Sequence, residues 1–307
     1  MRSYTGYLCI FLAAACWGLI GPIARFAFES NITPLEVAFW RCAFGGIFFF
    51  IHAAATQALK VQKVDDLIVF ALFGAISVGG FFASYQYAVK IGGAALASVL
   101  LYTAPAWVAI FSRFILGESL DKVKIIAVAM SLAGVFCISI SGTGNSGETI
   151  AIRLQEGITA RLNITGLIFG LLAGLLYSTH YIFTARFLKR YTAFTLYCYL
   201  MIFGSLVLLP FIEFMPKSLS DWCVLGFLGG ICTYGAYCFY CEGLKRLAPT
   251  RAAVLATFEP VIAIFAAWWI WGESFAALGW AGAVLVIGAV VCLVLVPGRD
   301  KQLRLET

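Results

Sequence analysis

Three ionisable residues lie inside long apolar stretches of this 307-residue chain, namely Arg41, His180 and Glu259. At the centre of a bilayer an ionised side chain costs about 2.5 to 3.5 kcal/mol on insertion scales, so it is kept where it is paired, hydrogen-bonded or used. The Glu259 carboxyl could be protonated, paired with Arg41, or neutralised by a cationic solute. His180 could exchange a proton near neutral pH. The alternative for all three is structural, for example satisfying backbone groups that Pro260 leaves without a donor.

Motifs for other chemistries are missing from the sequence. It contains no His-Glu-x-x-His, no Gly-x-Ser-x-Gly, no nucleotide-binding Gly-x-x-x-x-Gly-Lys-Ser/Thr, and no aspartate pair within the apolar stretches. Cys238 and Cys241 form a Cys-x-x-Cys, but a structural zinc site needs four ligands and no second pair accompanies it. We therefore predict no catalytic residue, no cofactor and no metal site, and no enzyme.

The composition identifies the surroundings of these residues. Hydrophobic residues make up 62% of the chain and charged residues 12%, which a soluble domain of this length could not cover with polar surface. Ten apolar stretches approach or exceed the roughly 20 residues that a helix needs to cross a bilayer. The sequence predicts an all-α polytopic membrane protein with helices α1 to α10 at about 6–28, 34–54, 67–90, 94–115, 122–141, 164–187, 192–214, 219–245, 250–271 and 276–296.

The second half of the chain repeats a pattern of the first half. Pro105 is followed twelve residues later by Gly117-Glu118-Ser119, and Pro260 twelve residues later by Gly272-Glu273-Ser274, so the two copies are 155 residues apart. This constant offset indicates a duplication. Each copy has five helices, an odd number, so the copies must cross the membrane in opposite directions. Inverted repeats of this kind are typical of carriers that alternate between two open states. Pro105 and Pro260 are expected to bend α4 and α9.

Lysine and arginine predict the orientation. With the N-terminus inside, 15 of the 21 basic residues fall on the cytoplasmic side and 5 on the outer side, with Arg41 left within a span. This positive-inside bias predicts that both termini are cytoplasmic. It also accounts for the net charge of +6, so we expect no nucleic-acid partner.

The order of these motifs resembles the drug/metabolite transporter superfamily, specifically its EamA-type ten-helix transporters. The residues that carry the resemblance are Trp17-Gly18 in α1, Arg41 in α2, the proline-to-Gly-Glu spacing in α4 and α9, and Phe258-Glu259-Pro260. It covers about residues 6–296. The resemblance implies a central cavity among α1 to α4 and α6 to α9, peripheral α5 and α10, and transport of small metabolites whose identity stays open.

Mid-span aromatic residues occupy the helices that the resemblance places around the cavity. Interfacial belts explain such residues near helix ends, but fit mid-span positions poorly. Ring faces with polar tips favour an amphipathic or aromatic solute, such as an amino acid, or a cation. The predicted substrate pathway consists of Trp17, Arg41, Tyr85, Tyr102, Trp107, Tyr177, His180, Tyr181, Tyr237 and Glu259.

These observations predict a secondary active or facilitative transporter of the bacterial inner membrane that exports small organic metabolites by alternating access. An importer or exchanger of a cationic or aromatic solute, such as a choline-like compound or drug, is the alternative, and a channel is a remote one. The expected partners are the solute and the bilayer, while proton coupling and a homodimer stay open. The predicted division is a first repeat at 1–141, an external linker at 142–163, which begins with glycine and serine, and a second repeat with a short cytoplasmic tail at 164–307.

Overall fold

The computed structural model of the chain describes residues 2–141, 164–272 and 276–295. These residues form helices and connections without any strand. By length and composition, nine helices in this described part can cross a membrane, and a tenth apolar helix is shorter. The helices are α1 Tyr4–Glu29, α2 Pro34–Ala55, α3 Val64–Tyr85, α4 Val99–Ile115, α5 Lys122–Ser141, α6 Ile164–Phe187, α7 Ala193–Phe211, α8 Leu219–Leu244, α9 Pro249–Trp271 and α10 Ala277–Leu295.

The fold is therefore the predicted all-α polytopic membrane protein, with ten spanning helices in two inverted five-helix repeats. Three predicted segments lie outside the described residues: the linker at 142–163, the second Glu-Ser pair at 273–274 and the C-terminal tail from 296.

One boundary prediction was wrong. We expected α3 to end at 90 and α4 to begin at 94, but the backbone is helical without interruption from Val64 to Leu101. Gly92 and Gly93 at the expected break retain their N–H groups, so the helical hydrogen bonds can continue through them. The break comes at Tyr102–Thr103, directly before the segment Ala104–Ile115. Pro105 occupies the first turn of that segment, where a missing N–H costs least.

The second repeat contains the same break. α9 consists of Pro249–Ala256 and Glu259–Trp271, separated at Thr257–Phe258, and Pro260 lies in the first turn of its second part. Each repeat also contains a π-helical stretch, Gly74–Gly80 in α3 and Gly230–Gly235 in α8. π-helical turns occur frequently at functional sites. The breaks and the π-helical stretches are therefore duplicated features.

The packing of the helices follows the same symmetry. α2 packs against α7 and α5 against α10, while α1 packs against α8 and the stretch Phe81–Leu101 packs against α6. Exchanging the two repeats interchanges the α1–α8 contact with the contact of Phe81–Leu101 and α6, and it maps the α2–α7 and α5–α10 contacts onto themselves. α5 and α10 approach closely, since a Cβ on Gly134 would lie 2.7 Å from the Gly282 carbonyl oxygen. Small residues permit such close approach of helices in a membrane.

Candidate functional site

A cavity of about 570 Å³ lies between the two repeats. Its wall is formed by seven of the helices predicted to surround it and by the helical break within α4; the seven helices are α1, α2, α3, α6, α7, α8 and α9. This volume lies within the usual range of pockets for small organic ligands, about 300 to 1,000 Å³.

The cavity opens at one end of the helix bundle. Its α1 residues run from Trp17 to Phe28, and its first α2 residue is Pro34. Phe28 and Pro34 flank the connection between α1 and α2, whereas the N-terminal half of α1 contributes nothing to the wall. We call the end with the α1–α2 connection the open end and the opposite end, which contains the start of α1, the closed end.

Tightly packed aromatic rings form the floor of the cavity. The indole of Trp17 contacts the rings of Tyr237 and Tyr240 at centroid distances of 5.4 and 5.5 Å. Tyr181 contacts Tyr240 at 5.2 Å, and Tyr197 contacts Tyr237 at 4.3 Å. Of these five residues, which we call the aromatic floor, Tyr181, Tyr197 and Tyr240 are almost fully buried. The floor therefore separates the cavity from the closed end.

Arg41 is held on the cavity wall by α8. Its Nε donates to the hydroxyl of Thr233 at 3.3 Å, and that hydroxyl in turn donates to the Leu228 carbonyl at 2.9 Å. Thr233 belongs to the π-helical stretch of α8, so the irregular turn supplies the acceptor. The guanidinium carbon also lies 6.0 Å from the ring centre of Phe82.

Glu259 enters the cavity from the break in α9. It is the first residue of the segment Glu259–Trp271, where the helix dipole favours a negative charge. Tyr102, from the equivalent break within α4, borders the same cavity. α1 touches the backbone here, since a Cβ on Gly18 would lie 2.6 Å from the Glu259 carbonyl oxygen. At the corresponding position of the first repeat the chain has Ala104, so this carboxylate breaks the repeat symmetry.

Arg41 and Glu259 border the same cavity but form no ion pair, since among the described residues no N–O contact within 4.0 Å joins them. The hypothesis that they pair directly is therefore not met in this conformation. The space between them is open to a solute.

His180 connects α6 to the π-helical stretch of α3. Its Nε2 lies 3.2 Å from the Ser77 carbonyl oxygen, which fixes the proton on that nitrogen. The adjacent Thr179 hydroxyl is 3.0 Å from the Ser77 hydroxyl. The His180 Nδ1 is buried and has no hydrogen-bond partner in the part of the chain that the structure describes. His180 borders the cavity, and its contacts serve to hold α6 on α3.

The structure brings most of the predicted pathway residues to one cavity. Two of the ten lie elsewhere. Tyr181 belongs to the aromatic floor, and it borders a void of about 10 Å³ with Pro105, Tyr102 and Thr257, where the two helical breaks meet. Trp107 lies two residues beyond Pro105 and faces Phe111 rather than the cavity. The eight that border it are Trp17, Arg41, Tyr85, Tyr102, Tyr177, His180, Tyr237 and Glu259.

Polar contacts between the repeats hold the closed end together. The Glu118 carboxylate accepts from the backbone N–H of Thr250 at 3.3 Å and from its hydroxyl at 3.0 Å, and its other oxygen lies 2.9 Å from Lys124 Nζ. Both charged groups of this pair are buried. We call the contacts among Glu118, Lys124 and Thr250 the closed-end latch.

A second set of contacts lies beside the closed-end latch. Arg251 is 2% exposed and donates to the Tyr7 hydroxyl at 2.5 Å and to the Leu293 carbonyl at 2.7 Å. It thereby joins α9 to α1 and to the C-terminal end of α10, where the helix dipole favours a cation.

At the open end, a buried ion pair lies beside the cavity mouth. Lys217 pairs with Glu36, and its ammonium lies between the rings of Trp40, Phe214 and Trp222 at 5.4 to 5.6 Å. The Trp40 indole also donates to Glu36 at 3.2 Å. These contacts fix the α7–α8 connection against the start of α2.

Several of these residues were not among those predicted from the sequence. Tyr197 is the fifth residue of α7, so the criterion of a mid-span position did not select it. Glu118 was noted only as part of a repeated motif. Its partner Thr250 lies 132 residues away in the chain, and no local pattern connects the two.

Known proteins resemble this chain over nearly its whole length. The model of the EamA-like transporter family matches residues 4–140 and 164–295, so the chain belongs to the EamA-like transporter family. The chain is 25% identical to the uncharacterized inner membrane transporter YicL of Salmonella typhimurium, over 94% of this chain and 95% of the relative. The pseudopaline exporter CntI of Pseudomonas aeruginosa is 23% identical over 94% of this chain and 95% of its own.

One solved crystal structure has a TM-score of 0.77 to this fold, at 19% identity, and covers 95% of this chain and 97% of that one. At this identity the likeness concerns the fold alone. Family membership and the ten helices establish an integral membrane transporter.

Proposed function

We propose that this protein is a carrier that exports small organic metabolites, an amino acid or a related amphipathic solute, by alternating access. The observation that carries the proposal is a cavity of ligand size between inverted repeats that is open at one end and sealed at the other by the aromatic floor. Carriers of this architecture expose one site to each side in turn. A static channel would need a path through the floor.

The proposal includes an orientation. The positive-inside bias puts the closed end, where the N-terminus lies, in the cytoplasm of a bacterium and the open end outside the inner membrane. Residues 1–141 and 164–307 act as the two repeats, joined by an external linker. Export is favoured by analogy with the relative named as a pseudopaline exporter.

The alternative is uptake or exchange of a cationic or aromatic solute. It is favoured by the Glu259 carboxylate together with the ring faces of Trp17 and Tyr237 at the cavity, which suit a cation.

Flux in proteoliposomes tests the proposal. Vesicles preloaded with an unlabelled amino acid should take up the labelled form transiently by counterflow, and the rate should saturate with concentration. Repeating the assay with an imposed pH gradient decides whether protons are coupled. Flux that is neither saturable nor accelerated by solute on the far side would contradict a carrier and support a channel.

A further inference from the structure

The cavity wall carries one positive and one negative side chain. Among the described residues that border the cavity, Arg41 and Glu259 are the ones with a formal charge when histidine is neutral, and the others are apolar, aromatic or hydroxyl-bearing. The wall is therefore neutral in total but strongly polarised. The Thr233 hydroxyl is a neutral hydrogen-bond partner of Arg41, and the Tyr102 side chain lines the same cavity as Glu259.

Different helices hold the two charges apart. Arg41 belongs to α2 and is fixed by Thr233 of α8, whereas Glu259 belongs to the break of α9 beside Gly18 of α1. Among the described residues no N–O contact within 4.0 Å joins the two side chains, and Arg41 Nε is engaged by Thr233. A solute between them would meet a cation on one wall and an anion on another.

The two opposite charges determine which solute charges the cavity favours. Between apolar walls a charge is screened less than in bulk water, so a solute with a single charge is attracted by one wall residue and repelled by the other. A solute with both charges satisfies both residues at once. We infer that the cavity selects zwitterions, with the carboxylate or similar anion of the solute at Arg41 and its ammonium group at Glu259.

The rest of the cavity receives the body of the solute. Trp17 and Tyr237 at the floor and Phe81 and Phe82 on α3 contribute aromatic rings to the same cavity wall as Arg41 and Glu259. The solute class is therefore a small zwitterion with an apolar or aromatic side group. This inference rests on the proposed function and assigns the substrate class of its site, and it argues against a choline-like cation.

Three compounds with the same ring and chain isolate the role of each charge. They are phenylalanine, phenethylamine, which lacks the carboxylate, and 3-phenylpropionate, which lacks the ammonium group. Binding to the purified full-length protein in detergent is measured by calorimetry, and flux by proteoliposome counterflow. A second series, leucine with isoamylamine and 4-methylpentanoate, covers an aliphatic body. We expect the zwitterion of at least one series to bind roughly tenfold or more tightly than either analogue, since a buried charge left unpartnered is costly.

Two variants assign the subsites. Arg41→Gln should abolish the preference for the amino acid over the amine, which lacks the carboxylate, but should keep the preference over the acid. Glu259→Gln should abolish the preference for the amino acid over the acid, which lacks the ammonium group, but should keep the preference over the amine. Matched controls are Arg246→Gln and Glu242→Gln, which alter an ion pair at the end of α8 away from the cavity. Both controls should retain the preferences of the unmodified protein.

Several outcomes would overturn the inference. They are equal binding of an amine and its amino acid, no binding in either series, or selectivity in both variants that matches the controls. Flux of phenethylamine at the rate of phenylalanine would refute zwitterion selection and leave the carrier function standing. Tight zwitterion binding without counterflow would have the opposite meaning, because the site would be right and the proposed function wrong.

Discussion

Removing the charge of Glu118 should open the closed end. In the closed-end latch this carboxylate of the first repeat accepts two hydrogen bonds from Thr250 of the second repeat. If the repeats rock apart at this end during transport, these bonds exist in one state of the cycle and break in the other. Glu118→Gln keeps the shape of the side chain but replaces an ionised acceptor by a neutral one, so it should favour the state in which the latch is broken.

The geometry sets the size of the effect. Hydrogen bonds to charged groups contribute about 1.5 to 3 kcal/mol and neutral ones about 0.5 to 1.5 kcal/mol, so two weakened bonds lose about 2 kcal/mol. The Glu118 side chain is 7% exposed, so solvent screening reduces this little. A change of about 2 kcal/mol shifts the ratio of the two states roughly 30-fold. The lost pairing with Lys124 adds to the effect.

Thiol labelling measures this shift. Ala253 is 2% exposed and borders the small void on the closed-end side of the aromatic floor. A cysteine at this position therefore reports opening of the closed end. The ten native cysteines are replaced first, so that only the reporter can react. In detergent, maleimide labelling of this reporter should be roughly 10- to 30-fold faster in Glu118→Gln. Glu242→Gln is the matched control and should leave the rate unchanged. An unchanged labelling rate in a Glu118→Gln protein of lower melting temperature would refute the gating role and leave the latch as a stabilising contact.

The remaining predictions concern the helical breaks, the orientation and the packing of the repeats. Pro105→Ala and Pro260→Ala should each reduce flux severalfold in protein that still inserts and melts cooperatively; full flux in both would show that the breaks work without the prolines. Cysteines at Ser119 and Ser274 should be labelled from opposite sides of the membrane by an impermeant reagent, and labelling of both from outside would contradict the inverted repeat. Gly134→Leu should force α5 away from α10, destabilise the fold by about 1 to 3 kcal/mol and lower the thermal unfolding temperature. A melting curve like that of the unmodified protein would show that the interface rearranges to accommodate the larger side chain.

The helices could be predicted because hydropathy and length act locally. α2, α8 and α9 begin and end within about one residue of their predicted bounds, as expected where the boundary is set by the edge of an apolar run. The limit between α3 and α4 could not be predicted in this way. Glycine permits both a break and a continuing helix, and here the break lies ten residues later, before Pro105.

The candidate site was predicted in part for a related reason. Arg41 and Glu259 were found because charge is rare in apolar stretches, and eight of ten expected residues border the cavity. Trp107 was placed by composition and helix membership alone, which do not fix the rotation of a helix about its axis. Two residues beyond Pro105 its ring faces Phe111 rather than the cavity.

By itself the sequence determined the membrane class, the ten helices, the inverted duplication and the positions of the charges. These follow from the transfer cost of each side chain and from the chain's own periodicity. The tertiary structure decided which end of the bundle is open, that Arg41 is held by Thr233, and that Glu118 meets Thr250 across the repeats. The reason is physical: hydropathy fixes that a helix spans the bilayer, while its tilt, rotation and partners depend on close packing between residues far apart in the chain.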